Sequence, residues 1–84
     1  MTAPAPRVTL YSKPGCHLCD DARSVVEQVC AELGEGYVEV DVRSDPELWR
    51  RYAEEIPVTL VDGAQHDFWQ VDADRLRGAL TGAP

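Results

Sequence analysis

Two cysteines separated by two residues, Cys16 and Cys19, are the residues best suited to chemistry. They follow a β-rich segment and a proline–glycine turn, and they open a run with helical spacing of apolar residues. The start of a helix offers unsatisfied N–H groups and a partial positive charge, both of which stabilise a thiolate, the nucleophile in disulfide exchange. We therefore predict Cys16 as the attacking thiol and Cys19, further along the helix, as the resolving thiol.

The geometry of a disulfide limits where Cys16 can lie. Side chains three apart on a regular helix have Cβ atoms about 5–6 Å apart, whereas a disulfide requires about 3.8 Å. Cys16 should therefore occupy the non-helical edge of the helix, where Pro14 and Gly15 permit an irregular approach. The ring that this disulfide would close is very small, so we expect it to open and close readily.

Two neighbours are candidates for tuning the reactivity of Cys16. His17 follows it directly and could stabilise the thiolate by a hydrogen bond, or by charge when protonated. Lys13 is the only lysine in the chain and lies three residues before Cys16. For each residue the alternative is a solvated side chain without effect on the thiolate.

Composition and charge exclude several functional classes. The chain has 84 residues, 44% of them hydrophobic, which predicts one small globular domain. Eight basic and fifteen acidic residues give a net charge of -7, so binding to nucleic acid is not expected. No apolar run reaches the about 18–20 residues of a membrane span. Three cysteines, with no apolar signal-peptide core in the first ten residues, favour a reducing cytoplasm.

Hydrophobic periodicity predicts the elements that must position the cysteines. We expect a loose arm at residues 1–6 and one domain at residues 7–84. Strands are predicted at 7–11, 37–42, 57–61 and 65–70, and helices at 17–33, about 45–54 and about 73–81. Asp62-Gly63 should form a hairpin turn. The order βαβαββα predicts an α/β fold with a mixed four-stranded sheet and helices on its faces.

The same periodicity predicts which side chains are buried. The expected core residues of the first two helices are Leu18, Ala22, Val25, Val26, Val29, Cys30, Leu33, Leu48, Trp49 and Tyr52. We interpret Cys30 as a small buried hydrophobe and His66 as an exposed strand residue. The aromatic residues Trp49, Tyr52, Phe68 and Trp69 should lie mostly in the core and at its rim, although an aromatic near the hairpin could flank a peptide groove.

Residues 8–19, Val-Thr-Leu-Tyr-Ser-Lys-Pro-Gly-Cys-His-Leu-Cys, resemble the opening of glutaredoxin-like proteins, a branch of the thioredoxin-fold superfamily. The similarity extends over about residues 7–80 and includes the element order. It implies a thioredoxin-like fold of the glutaredoxin type, with helices on both faces of the sheet. It also implies a thiol–disulfide oxidoreductase that uses Cys16 and Cys19 to reduce protein or small-molecule disulfides.

A second matching feature is the pair Ile56-Pro57. In thioredoxin-fold proteins a cis-proline opens the third strand and lies beside the active cysteines, and the resemblance gives that place to Pro57. It leaves the backbone of Ile56 available to pair with a substrate segment. With His17 and Lys13, these two are the predicted substrate-binding residues. The alternative for Pro57 is an ordinary proline at the first position of a strand.

Three departures from the family bear on the substrate. His17-Leu18 replaces the proline–tyrosine typical of glutaredoxins, and Ile56 stands where they usually have threonine. The segment 62–67 has one glycine and lacks the Gly-Gly and following Asp that help glutaredoxins to bind glutathione. The sequence is therefore more similar to small glutaredoxin-like proteins than to a dedicated glutathione enzyme.

The resulting hypothesis is a cytoplasmic, monomeric oxidoreductase with no bound cofactor. An external dithiol reductant, either a low-molecular-weight thiol or a thioredoxin reductase, would restore the dithiol. The expected partners are a disulfide-containing protein or a small thiol, and a reductase; neither nucleic acid nor membrane is expected.

Two alternative functions are left open by the sequence. One is a thioredoxin-fold binding module without turnover, and the other is carriage of a metal or an iron–sulfur cluster. A zinc site within one chain is not expected, because the predicted fold would hold its ligands apart; these are Cys16, His17 and Cys19 with Cys30 or His66. A cluster that bridges two chains through Cys16 has no positive support.

Overall fold

The computed structural model describes residues 6–82, so the predicted arm at residues 1–6 lies outside it apart from Pro6. The helices and strands occur in the predicted order, with one additional 3₁₀ helix. They are β1 Val8–Ser12, α1 His17–Leu33, β2 Tyr37–Asp41, the 3₁₀ helix Val42–Ser44, α2 Pro46–Tyr52, β3 Val58–Val61, β4 Ala64–Phe68 and α3 Ala73–Thr81. Among these residues no helix has the length and apolar character to cross a membrane.

The four strands form one mixed sheet in the order β2-β1-β3-β4. β1 runs parallel to β2, as the βαβ connection requires, and antiparallel to β3. β3 and β4 form the predicted antiparallel hairpin. Its turn residues Asp62 and Gly63 both have positive φ, 52° and 83°, which is the backbone of a type I′ turn. The predicted mixed sheet is confirmed.

Buried side chains form one cluster on each face of the sheet. The first lies under α1 and α3 and consists of Val8, Val26, Val29, Cys30, Val61, Leu76 and Leu80. The second consists of Cys19, Val42, Tyr52, Ile56, Val58 and Leu60. Because Val58 and Leu60 alternate with Val61 along β3, the two clusters occupy opposite faces. The site cysteine Cys19 thus belongs to the second core cluster.

The second helix is shorter than the sequence predicts. Asp45 caps α2 by accepting a hydrogen bond from the N–H of Glu47 at 2.8 Å. The helix ends at Tyr52 rather than near residue 54, and a turn follows in which the N–H of Glu55 donates to the Tyr52 carbonyl. The residue before a proline avoids the helical region, so the chain must leave the helix before Ile56-Pro57.

Three burial predictions are wrong. Leu18 and Trp49, which helical periodicity assigns to the core, are 42% and 43% exposed. Leu18 lies at the N-terminus of α1, and Trp49 lies on the short helix α2. At both positions the apolar stripe of the helix extends beyond the surface that the sheet covers. Conversely, the side chain of His66 is only 13% exposed. A bulge opposite Thr59 and Leu60 inserts His66 as an extra residue of β4 and breaks the alternation of that strand.

The hairpin strand β4 also ends earlier than predicted, at Phe68 rather than at residue 70. Trp69 has a φ of 63°, in the left-handed region, so the chain leaves the extended conformation there. The exposed aromatic side chains of Phe68 and Trp69 therefore lie at the end of the hairpin and not within the core.

The contacts of Leu76 predict a strong dependence of stability on this side chain. It is fully buried in the first cluster, between the sheet and α1. Leu76→Ala should lower the free energy of unfolding by about 2–5 kcal/mol, because a cavity is left in the core. Urea unfolding followed by circular dichroism measures this. Val38→Ala, on the exposed face of the edge strand β2, is the control and should cost less than about 1 kcal/mol. Equal losses for the two variants would contradict the assigned core.

Candidate active site at the start of the first helix

Cys16 is the N-cap of α1, as the geometry of the Cys-x-x-Cys pair predicts. Its backbone is extended, with φ −102° and ψ 112°, and the first helical residue is His17. Its Sγ accepts a hydrogen bond from the backbone N–H of Cys19 at 3.2 Å. Gly15, immediately before it, has a φ of 75°, a conformation that suits glycine. The sulfur of Cys16 therefore receives both a direct N–H donor and the positive end of the helix dipole.

The two cysteines are joined as a disulfide, with their Cα atoms 5.2 Å apart. Cys16 is partly exposed, whereas Cys19 is fully buried. A reagent from solution can therefore approach the disulfide through Cys16. This asymmetry fits an attacking role for Cys16 and a resolving role for Cys19.

The segment Ile56-Pro57 lies in the same cluster as the cysteines. Ile56 is buried in the second core cluster with Cys19, and Cys16 packs against that cluster. The Ile56-Pro57 peptide bond is cis, as the resemblance implied. Pro57 is fully buried, and its carbonyl accepts the N–H of Trp69 at 2.8 Å. No residue between 6 and 82 forms a hydrogen bond with the backbone of Ile56.

Lys13 and His17 are both exposed side chains. Neither forms a hydrogen bond or an ion pair with another of the described residues. Lys13 lines a polar cavity of about 360 Å³, together with Ser12, Pro14, Arg23, Glu39 and Asp41. Lys13 therefore lies at this polar cavity, beside the turn that precedes Cys16, and forms no hydrogen bond with the Cys16 sulfur.

Arg23 and Glu39 form an ion pair in the lining of the polar cavity. The sequence did not indicate this pair. The Arg23 guanidinium donates two hydrogen bonds of 2.7 Å to the Glu39 carboxylate and one of 2.8 Å to Asp20. Ser12 Oγ donates to the same carboxylate at 2.6 Å. The Arg23 hydrogen bonds, together with that of Ser12, hold the pKa of Glu39 below its usual value despite partial burial. Alternation in β2 indicates only that Glu39 belongs to a polar face.

An apolar groove lies on another side of the cysteines. We define the apolar groove as a cavity of about 660 Å³ lined by Leu18, Ile56, Asp67, Phe68, Trp69 and Gln70. A smaller cavity of about 180 Å³ continues it along α1 through Leu18, Trp69 and Gln70 to Asp21 and Val25. The groove adjoins the cysteine pair, because its lining residue Ile56 belongs to the same buried cluster as Cys19, and Cys16 packs against that cluster.

Trp69 is held firmly although it is 52% exposed. Its backbone N–H donates to the Pro57 carbonyl at 2.8 Å, and its indole Nε1–H donates to the Glu54 carbonyl at 3.0 Å. Its ring meets Phe68 edge to face, with centroids 5.1 Å apart. The sequence pattern assigns Phe68 and Trp69 mostly to the core and rim. The signal that could have placed them at the site is that two adjacent aromatic residues end the hairpin.

The remaining thiol, Cys30, lies far from this chemistry in the first core cluster. Burial raises its pKa, and the negative charge of Glu35 adds to the effect. Its prediction as a small buried hydrophobe is confirmed. In residues 6–82 no three His, Cys, Asp or Glu side chains are grouped so that they could hold a metal ion.

The chain is similar to known proteins both in sequence and in structure. Residues 7–81 match the family model described as Glutaredoxin-like domain (DUF836). The uncharacterized protein Rv0508 of Mycobacterium tuberculosis is 32% identical over 80 residues, covering 89% of this chain and 82% of that protein. The X-ray structure of target protein XcR50 from X. campestris superposes with a TM-score of 0.73 and 34% identity, covering 92% of this chain and 99% of XcR50.

A more distant neighbour shows the fold. A mutant thioredoxin from Halobacterium salinarum is 21% identical and superposes with a TM-score of 0.64, covering 90% of this chain and 72% of the thioredoxin. The strand order, the N-cap cysteine and the cis-proline beside it thus occur on a thioredoxin-like architecture. This chain belongs to the family of glutaredoxin-like domains, and its fold is thioredoxin-like.

Proposed function

We propose that this protein is a thiol–disulfide oxidoreductase that reduces protein or small-molecule disulfides with Cys16 and Cys19. The observation that carries the proposal is the position of the Cys16 sulfur, which caps α1, accepts the Cys19 N–H at 3.2 Å and remains partly exposed. A thioredoxin-like fold with a close cysteine pair is suited to redox chemistry in general. The assignment of turnover is our inference from this geometry.

The proposed reaction begins with the reduced protein. The Cys16 thiolate attacks one sulfur of the substrate disulfide, the substrate S–S bond breaks, and the departing sulfur takes up a proton. Cys19 then gives up its proton and attacks the Cys16 sulfur of the mixed disulfide. The second substrate sulfur departs and is protonated, and the Cys16–Cys19 disulfide remains. The substrate gains two electrons from the two cysteines and two protons, one from Cys19 and one from solvent, because Cys16 reacts as the thiolate.

An external dithiol reductant must then reverse the cycle. It attacks the Cys16–Cys19 disulfide at Cys16, because Cys19 is fully buried. A low-molecular-weight thiol or a thioredoxin reductase would supply the electrons, and no bound cofactor takes part. A reducing cytoplasm, where such reductants are maintained, is the proposed location.

Substrate binding is assigned to the surface around the disulfide. The backbone of Ile56 has no hydrogen-bond partner among the described residues, so an extended substrate segment can pair with it beside Pro57. His17 and Lys13 are assigned to the same surface because both are exposed near Cys16. A single copy of the chain carries all of these groups, so the proposal requires no oligomer.

The position of Cys16 predicts selective alkylation of the reduced protein. Iodoacetamide should modify Cys16 first, with a pH midpoint below the value of about 8.5 of an ordinary cysteine, because the helix N-terminus stabilises the thiolate. Cys30 should react slowly, since its raised pKa leaves less thiolate at any given pH and its sulfur is buried. Peptide mapping by mass spectrometry across a pH series measures both. A Cys16 midpoint at or above about 8.5 would contradict the proposed activation.

Serine variants of the two active-site cysteines should block different steps of the cycle. Cys16→Ser should lower turnover of a model disulfide at least about a hundredfold, since the hydroxyl does not attack sulfur. Cys19→Ser should leave the first attack intact and accumulate the mixed disulfide on Cys16, visible as added mass that dithiothreitol removes. Cys30→Ser is the matched control and should retain turnover within about twofold. Full activity of Cys16→Ser would exclude the mechanism.

A further inference from the structure

The conformation of Trp69 is costly and fixed. A tryptophan at φ 63° occupies a region that side chains other than glycine seldom adopt. Two hydrogen bonds hold it there, from its N–H to the Pro57 carbonyl and from its indole to the Glu54 carbonyl. The ring nevertheless remains half-exposed. Strained and well-held residues with an exposed apolar surface are characteristic of binding sites.

The ring of Trp69 lies beside the proposed redox centre. It lines the apolar groove together with Leu18, which stands between the two cysteines, and with Ile56, whose backbone has no partner among residues 6–82. An extended segment that pairs with Ile56 would therefore lay a neighbouring side chain against Leu18 and Trp69. A cavity of about 660 Å³ is large enough for a bulky side chain.

The charges of the groove are acidic. Asp67 and Asp21 line it and its continuation along α1, and neither lining includes a lysine or an arginine. Asp67 is paired with Arg75, whereas Asp21 forms no ion pair with any of the described residues. With the net charge of -7, this favours an occupant with basic rather than acidic groups.

We propose that Trp69 is a specificity-determining residue that selects polypeptide disulfides with apolar and basic residues next to the cysteine. The ring of Trp69 and the side chain of Leu18 receive the apolar side chain, and Asp21 attracts the basic one. The inference rests on the proposed function, whose chemistry it leaves unchanged. A small polar disulfide such as that of glutathione offers no bulky apolar group to this surface, so the site discriminates against it.

Two short peptides provide the test, identical except at the residues flanking one cysteine. One carries Leu and Lys and the other Ser and Glu, and each is used as its symmetrical disulfide. The variants are Trp69→Gly, which removes the ring and suits φ 63°, Trp69→Phe, which keeps a ring without the indole donor, and Trp49→Ala as control. Trp49 has similar exposure and lies on α2, outside the lining of the groove.

The readout is the ratio of kcat/KM for the apolar–basic peptide to that for the polar–acidic peptide. We expect a ratio of at least about 10 for the wild type and Trp49→Ala, and below about 2 for Trp69→Gly, since losing a central aromatic anchor typically costs this much. Trp69→Phe should be intermediate. An unchanged ratio in Trp69→Gly overturns the inference, as does an equal loss for both peptides.

A binding measurement separates this inference from the proposed function. The same two peptides with Ser in place of Cys are titrated into oxidised Trp49→Ala, in which Trp69 is the only tryptophan. Saturable fluorescence change with the apolar–basic peptide alone supports the docking role, even if no disulfide is turned over and the oxidoreductase proposal fails. No change with either peptide overturns the docking role while turnover can still stand. A fluorescence change that depends on protein concentration alone assigns the groove to a second copy and also overturns it.

Discussion

The hydrogen bond from the Cys19 N–H to the Cys16 sulfur is the interaction on which the site depends. It exists because α1 begins at His17 and leaves Cys16 in the extended N-cap position. A start one residue earlier would place Cys16 inside the first turn, where its side chain could no longer accept from that N–H. On one side the site continues into β1, an internal strand of the sheet, and on the other into a helix of 17 residues. Both flanking elements are therefore fixed by the core.

The side chains that line the polar cavity hold the first turns of α1 in place. Arg23 lies about two turns into the helix and donates two hydrogen bonds to Glu39 of β2. It also forms an ion pair with Asp20 in the first turn of α1. Ser12, the last residue of β1, donates to the same carboxylate. The helix that carries the cysteines is thus attached to the middle of β2 directly and to the end of β1 through the shared carboxylate of Glu39. These contacts hold the first turn in place, and none of them involves the sulfur atoms of Cys16 or Cys19.

The cysteine positions and the order of the elements along the chain were predictable because each depends on local signals. The Cys16–Cys19 spacing, the Pro14-Gly15 turn and the Asp62-Gly63 turn act within a few residues, and all three have the predicted geometry. The exposure of Leu18 was not predictable, because helical periodicity describes a stripe and not the area that the sheet covers. The inward turn of His66 depends on a bulge set by pairing with β3. The groove combines a helix start, a proline segment and a hairpin end, so only the tertiary structure brings it together.

Two electrostatic effects act at this surface over different distances: the hydrogen bond to the Cys16 sulfur and the negative charge at the groove. The Cys16 sulfur interacts with a donor 3.2 Å away, a distance at which dissolved ions cannot intervene. The acidic character of the groove arises from exposed carboxylates such as Asp21 and from the net charge of -7, and salt screens these over about 8–10 Å. In the proposed enzyme, ionic strength should therefore act on how charged substrates approach and much less on the nucleophile they meet. The reactivity of the sulfur and the choice of substrate then depend on different parts of one surface: the first on backbone geometry, the second on side chains at the groove.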